Sequence, residues 1–312
     1  MSKWHALWKT VRPMNLLIMA LTMWGVYGAI IAQLDGLESH HVLFALLTLS
    51  IVLLGAGGNI INDIEDVHVD AINTPGKNQI GQVISKNWAM SWYFILTLSG
   101  LLAGLIVATL RSDIFIFCVI LFIALSLWFY SRWMQKQVLI GNFVVAVLCA
   151  LLPIIAYLFL DPYLTDHIKS YPLNGIATYF DSILSLNIMR FYAFIAFSAT
   201  LAREIAKDIE DVKGDVRGGY SSLAARSGIG MARTAVILLL LLTAVVLFLL
   251  HPFDPFPDVW TWALLIIIFI PILISLVLTF QLKSSAAAAR LSRWLKITMA
   301  IGVASTAFFW FL

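Results

Sequence analysis

The chain has few charged residues: Asp, Glu, Lys and Arg make up only 12% of its 312 residues, against roughly a quarter in a soluble domain. It also lacks a hydrophilic stretch long enough to fold as a separate domain. Hydrophobic residues make up 61% of the chain, and the mean hydropathy is +0.94. These values exclude an ordinary soluble enzyme and predict an integral membrane protein surrounded by lipid.

Cysteine is equally scarce. The two cysteines, Cys118 and Cys149, lie inside apolar runs and lack the spacing of metal ligands, so we interpret them as packing residues. No disulfide framework is expected. The net charge of +3 is ordinary for a membrane protein and gives no reason to expect a nucleic-acid partner. Nothing in the sequence predicts a protein partner.

Nine apolar runs are long enough to be membrane-spanning helices, which need about 20 residues each. They are continuous, whereas barrel strands alternate polar and apolar residues. The runs cover about residues 14–34, 42–62, 88–110, 113–131, 138–160, 188–207, 232–250, 259–281 and 294–312. We therefore expect an all-α membrane bundle forming one domain over residues 1–312. The outer segment 161–187 has room for a short interfacial helix that the sequence does not place, and the inner loop 208–231 is Gly-rich and is interpreted as a lid.

The distribution of basic residues predicts how the bundle is oriented. If the N-terminus is cytoplasmic, only Arg111, Lys169 and Arg190 of the 20 Lys and Arg residues fall on the outer side. Cytoplasmic loops of membrane proteins carry an excess of such residues. The count therefore predicts a cytoplasmic N-terminus, and we expect the protein in the plasma (inner) membrane. Both acidic motifs described below follow even-numbered helices and are expected on the same side.

An acidic octapeptide occurs twice, as DIEDVHVD at residues 63–70 and as DIEDVKGD at residues 208–215. Helix positions i, i+3 and i+7 share one face, so each copy would align three carboxylates. Aligned carboxylates repel one another unless cations hold them, and Mg²⁺ prefers oxygen ligands shared with phosphate groups. The repeat therefore predicts a Mg²⁺–diphosphate site. The predicted metal ligands are Asp63, Asp66, Asp70, Asp208, Asp211 and Asp215.

Polar residues beside each motif extend the predicted site. Asn59 and Asn62 precede the first motif and Lys77 follows it, whereas Arg203 and Lys207 precede the second. Lys207 occupies the position that Asn62 has in the first copy, where a cation could contact phosphate oxygens. We predict catalytic roles for Asp63, Asp66, Asp211 and Lys207. We predict substrate binding by Asn59, Asn62, Lys77 and Arg203.

With these motifs, the chain resembles the UbiA superfamily of intramembrane prenyltransferases. The matching elements are the paired aspartate motifs, the segment Ile72–Lys77, Arg12 with Pro13, and Tyr130 with Lys136. The resemblance implies a bundle of about nine helices around a central cavity open to the cytoplasm. It also implies two Mg²⁺ ions that hold an isoprenyl diphosphate, and substrate-binding roles for Arg12, Asn15, Tyr130 and Lys136.

Within the superfamily, residues 203–215 and 12–15 most resemble digeranylgeranylglyceryl phosphate synthase-like members. That resemblance implies transfer of a geranylgeranyl group to the hydroxyl of a glyceryl phosphate lipid. Three alternatives stay open: an aromatic acceptor, a CDP-alcohol phosphotransferase and a cation transporter. The phosphotransferase pattern requires D-G-x-x-A-R, whereas Val67 and His68 follow Asp66 here. A transporter would favour acids at the midplane of the bilayer.

Overall fold

The computed structural model describes residues 1–33, 40–170, 175–250 and 259–310. Within these ranges the chain forms helices and a single isolated β-bridge between Ile80 and Ile84, which confirms the all-α prediction. The helices are α1 (Lys3–Thr10), α2 (Pro13–Ala32), α3 (His41–Glu65), α4 (Val67–Asn73), α5 (Lys86–Arg111), α6 (Ile114–Arg132), α7 (Ile140–Ser170), α8 (Gly175–Gly218), α9 (Leu223–Leu250), α10 (Val259–Phe280) and α11 (Ser285–Ser305), with 3₁₀ turns at Met134–Lys136 and Thr306–Trp310.

In the described part of the chain, 8 helices are long and apolar enough to cross a membrane, namely α2, α3 and α5 to α10. The ninth predicted run corresponds to α11 and the 3₁₀ turn after it, and α11 carries Arg290, Arg293 and Lys296. Residues 311–312 of that run lie outside the described residues. The structure thus confirms a helical membrane protein, and its helix count roughly matches the prediction.

Both segments between runs are largely helical where the structure describes them, so the interpretation of 208–231 as a loop was wrong. Helix α7 continues to Ser170 and α8 begins at Gly175, while residues 171–174 lie outside the described residues. Helix α8 then continues through the second acidic motif to Gly218. The predicted Gly-rich lid is reduced to the four-residue link 219–222 before α9.

By its internal contacts the chain divides into two compact units. Unit 1 contains residues 1–20, 41–144 and 211–228, and unit 2 contains residues 21–40, 145–210 and 229–312. In unit 1, α3 packs closely along α5, and the hydroxyl of Ser50 donates to the carbonyl of Gly100 at 2.6 Å. A buried apolar cluster that includes Ile60, Ile61 and Ile64 surrounds the last turns of α3. This packing fixes the helix end on which the first acidic motif lies.

Unit 2 is held together by polar contacts between otherwise apolar helices. The indole N–H of Trp294 in α11 donates to the carbonyl of Pro271 in α10 at 3.1 Å. The hydroxyls of Tyr192 and Ser305 lie 3.0 Å apart, and both residues are buried. Such contacts satisfy polar groups that would otherwise be costly in an apolar interior.

Candidate active site

The first acidic motif spans a break between two helices. Helix α3 ends at Glu65 and α4 begins at Val67, with Asp66 between them at φ −87° and ψ 1°. The predicted continuous helix was therefore wrong at this residue. Helix-type backbone bonds continue on both sides, from Asp66 to Asn62 at 2.9 Å and from Asp70 to Asp66 at 2.8 Å. Because Asp and Asn side chains compete for nearby hydrogen-bonding groups, they favour such interruptions.

Asp66 accepts hydrogen bonds from three side chains. Its Oδ1 accepts one hydrogen bond from the amide of Gln135 and one from the hydroxyl of Tyr220, both at 2.9 Å. Its Oδ2 accepts from the amide of Asn62 at 2.6 Å. These donors come from three separate segments of unit 1, so the orientation of this carboxylate depends on tertiary structure.

Asp63 and Asp70 contact two residues outside the motif, Arg12 and Asn78. The guanidinium of Arg12 forms an ion pair with Asp63 at 2.5 Å, and the Asp63 residue is only 7% exposed. The amide of Asn78 donates to the backbone carbonyl of Asp63 at 2.8 Å and to Oδ2 of Asp70 at 2.9 Å. The side-chain oxygen of Asn78 accepts from the amide N–H of Ile80 at 3.0 Å. Asn78 thereby fastens the 74–85 segment to the acidic motif.

The backbone of Arg12 is held in an unusual conformation. Its φ is +55°, in the left-handed region that residues other than glycine rarely adopt. Such a conformation costs of order 1–3 kcal/mol and occurs mainly where the surrounding structure requires it. Here it forms the link between α1 and α2 from which the guanidinium reaches Asp63. The structure thus places Arg12 against the first acidic motif, and its role in substrate binding stays a prediction.

Two glycines bring the second acidic segment into contact with the first. An added Cβ on Gly214 would lie 2.3 Å from Oδ1 of Asn73, and one on Gly218 would lie 2.6 Å from Cγ2 of Val69. The amide N–H of Gly214 also donates to that Asn73 oxygen at 2.8 Å. Small residues four apart on α8 thus allow α4 to approach closely. Asp211 and the 7% exposed Asp215 belong to the same stretch of α8.

The other predicted residues of unit 1 have varied environments. Asn59 donates to the carbonyl of Val11 at 2.9 Å, so its amide joins α3 to the end of α1. Lys77 is exposed, whereas Asn15 and Tyr130 are half-buried. Lys136 lies with its ammonium 5.7 Å from the ring centroid of Tyr220, at a distance suited to a cation–π interaction.

In unit 2 the residues before the second motif form a charged group on α8. Glu204 pairs with Arg203 at 2.6 Å and with Lys207 at 3.3 Å. Its side chain is 12% exposed, so the two cations offset the cost of burying its charge. Asp208 directly follows Lys207 on the same helix and is half-buried.

Sequence reasoning gave no role to Asn78, Gln135 or Tyr220. Each was near a predicted residue: Asn78 follows Lys77, Gln135 precedes Lys136, and Tyr220 follows the second motif by five residues. No pattern distinguished them, because their contacts with the aspartates join segments far apart in the chain. Burial raises the pKa of the Tyr220 hydroxyl, and the nearby Asp66 carboxylate raises this pKa further. The hydroxyl therefore remains protonated at neutral pH and acts as a donor.

The chemistry of these side chains fits a hard divalent cation. The predicted ligands offer only carboxylate oxygens, which Mg²⁺ favours over nitrogen or sulfur. Within the described ranges, three or more Asp, Glu, His or Cys side chains nowhere come together as a metal-binding group. In this conformation the carboxylates of Asp63, Asp66 and Asp70 engage protein donors instead. Binding of a cation would therefore require these side chains to exchange part of their hydrogen bonds.

Comparison with known proteins gives one consistent family. The profile of the UbiA prenyltransferase family matches residues 18–311. A digeranylgeranylglyceryl phosphate synthase from Hyperthermus butylicus is 30% identical over 257 residues, which is 82% of this chain and 78% of that protein.

Solved structures agree on the fold. One, described as giving insight into digeranylgeranylglyceryl phosphate synthase in membranes, has a TM-score of 0.67 at 22% identity and covers 100% of both chains. A UbiA homologue from Archaeoglobus fulgidus, bound to DMAPP and Mg²⁺, has a TM-score of 0.58 at 16% identity over 96% of this chain and 99% of that one. From the family match and the shared helical membrane architecture, the chain belongs to the UbiA prenyltransferase family.

Proposed function

We propose that this protein transfers a geranylgeranyl group from its diphosphate to the hydroxyl of geranylgeranylglyceryl phosphate. One observation carries the proposal: in unit 1 the end of the second acidic segment contacts the first, through Gly214 with Asn73 and through Tyr220 with Asp66. Two acidic segments that meet at the ends of membrane-spanning helices suit a diphosphate whose hydrocarbon chain lies in the membrane. The name of the Hyperthermus relative supports the choice of acceptor.

The proposed cofactor is Mg²⁺, held by the six aspartates of the two motifs. The A. fulgidus homologue bound to DMAPP and Mg²⁺ supports this choice. When bound, the ion supplies charge neutralisation and Lewis acidity to the leaving diphosphate. We assign Asp63, Asp66 and Asp211 the largest share of this role. Carboxylates this close to apolar helices are costly and are usually retained for function.

The basic residues are proposed to bind and stabilise the leaving group. Arg12, Lys136 and Lys207 would share the charge that develops on the diphosphate as the C1–O bond of the donor breaks. Asn62 and Asn59 would help to position the first motif, and Lys77 and Arg203 would contact the substrate. The acceptor oxygen then forms the new bond to C1 and releases its proton. Apolar helices around the donor would keep water from the allylic cation.

We further propose that the chain works as one domain in the plasma (inner) membrane, with its N-terminus and both acidic segments on the cytoplasmic side. The excess of Lys and Arg on that side supports this orientation. A diphosphate made in the cytosol would then reach the aspartates without crossing the bilayer. Tyr130 and Asn15, at the ends of α6 and α2, would line the approach to the site.

The test is product analysis with purified protein. Geranylgeranyl diphosphate and Mg²⁺ are incubated with geranylgeranylglyceryl phosphate, with an aromatic quinone precursor, or without acceptor, and the products are identified by mass. The expected product is the doubly prenylated glyceryl phosphate. Prenylation of the aromatic compound alone would show that the acceptor is aromatic and not a glyceryl phosphate. Failure to consume the diphosphate with any acceptor would contradict prenyl transfer and favour a transporter.

Two variants connect this assay to the site. Asp66→Asn should lower the rate by roughly 10²–10⁴ because a charge that stabilises the transition state is lost. His68→Ala is the matched control, since His68 lies in the same motif but is exposed, and it should retain the normal rate. Both variants should melt in detergent at nearly the temperature of the unsubstituted protein. Near-normal turnover by Asp66→Asn at saturating Mg²⁺ would refute the assigned role.

A further inference from the structure

The segment between α8 and α9 returns Tyr220 toward the first acidic motif. Helix α8 ends at Gly218, and Gly219 has a φ of +74°, a left-handed conformation that glycine adopts without steric cost. The amide N–H of Tyr220 then donates to the carbonyl of Asp215 at 2.8 Å, which closes the end of the helix. The position of Tyr220 is therefore fixed to the last turn of the helix that carries Asp211 and Asp215.

The same segment is attached to the 3₁₀ turn at Met134–Lys136. The amide N–H of Ser221 donates to the carbonyl of Lys136 at 3.0 Å, and the Lys136 ammonium lies over the Tyr220 ring. Gln135 in that turn is itself held by a 2.9 Å bond from its amide to the carbonyl of Ser131. Tyr220 and Gln135 thus contact Asp66 from two segments, the 219–222 link and the 3₁₀ turn, which are also hydrogen-bonded to each other.

Two of the hydrogen bonds at Asp66 come from neutral donors. Tyr220 and Gln135 both donate to its Oδ1, so these two bonds hold the carboxylate without placing a positive charge against it. A carboxylate that is held in a fixed direction is better prepared to bind a cation, and groups that orient a ligand in this way contribute strongly to metal affinity.

We propose that Tyr220 is a positioning residue which, with Gln135, orients Asp66 for Mg²⁺ and connects this orientation to the end of α8. The inference rests on the proposed function for the identity of the ion and assigns Tyr220 no contact with the substrate. It also gives a role to the 219–222 segment, which transmits the position of the second acidic segment to the first. Removing either donor should therefore weaken cation binding, with little change in the rate at saturating cation.

The test compares Tyr220→Phe with the unsubstituted protein. The variant loses only the hydroxyl and keeps the ring beside Lys136. Binding of Mn²⁺, as a paramagnetic substitute for Mg²⁺, is titrated by electron paramagnetic resonance without substrate. We expect a dissociation constant roughly tenfold higher for Tyr220→Phe, a similar increase for Gln135→Met, and a larger one for the double variant. In the prenyl-transfer assay the Mg²⁺ concentration at half-maximal rate should rise by a similar factor, while kcat stays within about twofold.

Tyr157→Phe is the matched control, because the hydroxyl of Tyr157 also interacts with an aspartate, Asp161, but in unit 2. It should leave Mn²⁺ affinity unchanged. Unchanged or tighter Mn²⁺ binding by Tyr220→Phe would overturn the inference, the second result by indicating that the hydroxyl competes with the cation. If Tyr220→Phe weakens Mn²⁺ binding but no prenyl transfer occurs in the unsubstituted protein, the positioning role stands and the proposed function fails.

Discussion

The close approach of α4 and α8 gives a prediction whose size follows from the structure. In Gly214→Ala the new methyl carbon would lie 2.3 Å from Oδ1 of Asn73 and 2.4 Å from both Cγ and Nδ2. These three atoms form the terminal amide of Asn73, so that side chain must rotate away from the new methyl group. Its 2.8 Å bond to the Gly214 amide would then be lost. The two acidic segments would lose this direct hydrogen bond at the point where they meet.

The energy can be estimated term by term. Loss of the hydrogen bond costs about 0.5–1.5 kcal/mol, and forced repacking costs about 1–3 kcal/mol. Replacing a helical glycine by alanine returns about 0.5–1 kcal/mol. The net destabilisation is therefore on the order of 1–3 kcal/mol. The reaction should also slow, because a loosened contact lets the acidic segments shift, and a misplacement of about 1 Å in an active site can reduce a rate by about 10²-fold.

Thermal denaturation in detergent and Mg²⁺-dependent release of diphosphate measure these two effects. Gly230→Ala is the control, since it makes the same change in α9 where the new Cβ would point into open space beyond its own helix, and it should be as stable and active as the unsubstituted protein. Adding Asn73→Ala to Gly214→Ala removes the overlap and should restore part of the rate. If Gly214→Ala matches Gly230→Ala in both assays, the close contact between α4 and α8 does not exist in the protein.

Three other outcomes are expected. Arg12→Ala should lower the free energy of unfolding by about 1–2 kcal/mol, because Asp63 loses its ion pair. This value is reduced because Arg12 is partly exposed to solvent. An unchanged melting temperature in detergent would argue against that pair. Asn78→Leu should lower the free energy of unfolding by about 1–3 kcal/mol, since the buried hydrogen bonds of Asn78 with Asp63, Asp70 and Ile80 are lost. The 74–85 segment should then be cleaved faster by a protease. Equal cleavage rates with and without the substitution would contradict this. Removal of divalent cations with a chelator should abolish prenyl transfer, and added Mg²⁺ should restore it; full activity in the chelator would exclude a metal role for the aspartates.

The fold was largely predictable, because hydropathy depends on local composition. Continuous apolar runs predicted the membrane helices, and the structure places helices at each of them. Helix ends were less predictable. The apolar run ended near residue 207, whereas α8 continues to Gly218, because hydropathy marks where the apolar residues end and not where the helix ends. The break at Asp66 was also missed, because the two copies of the repeat are nearly identical in sequence and only one is interrupted.

Membrane insertion, the acidic repeat and the residue types able to bind a metal–diphosphate were determined by the sequence alone, because hydropathy and carboxylate spacing are local properties. Tertiary structure decided which side chains meet those carboxylates. Arg12, Asn78, Gln135 and Tyr220 come from four separate segments, and no local pattern specifies that they converge. The approach of the two motifs likewise depends on Gly214 and Gly218 facing α4. Such contacts arise only when helices pack, since packing brings together residues that are distant in sequence.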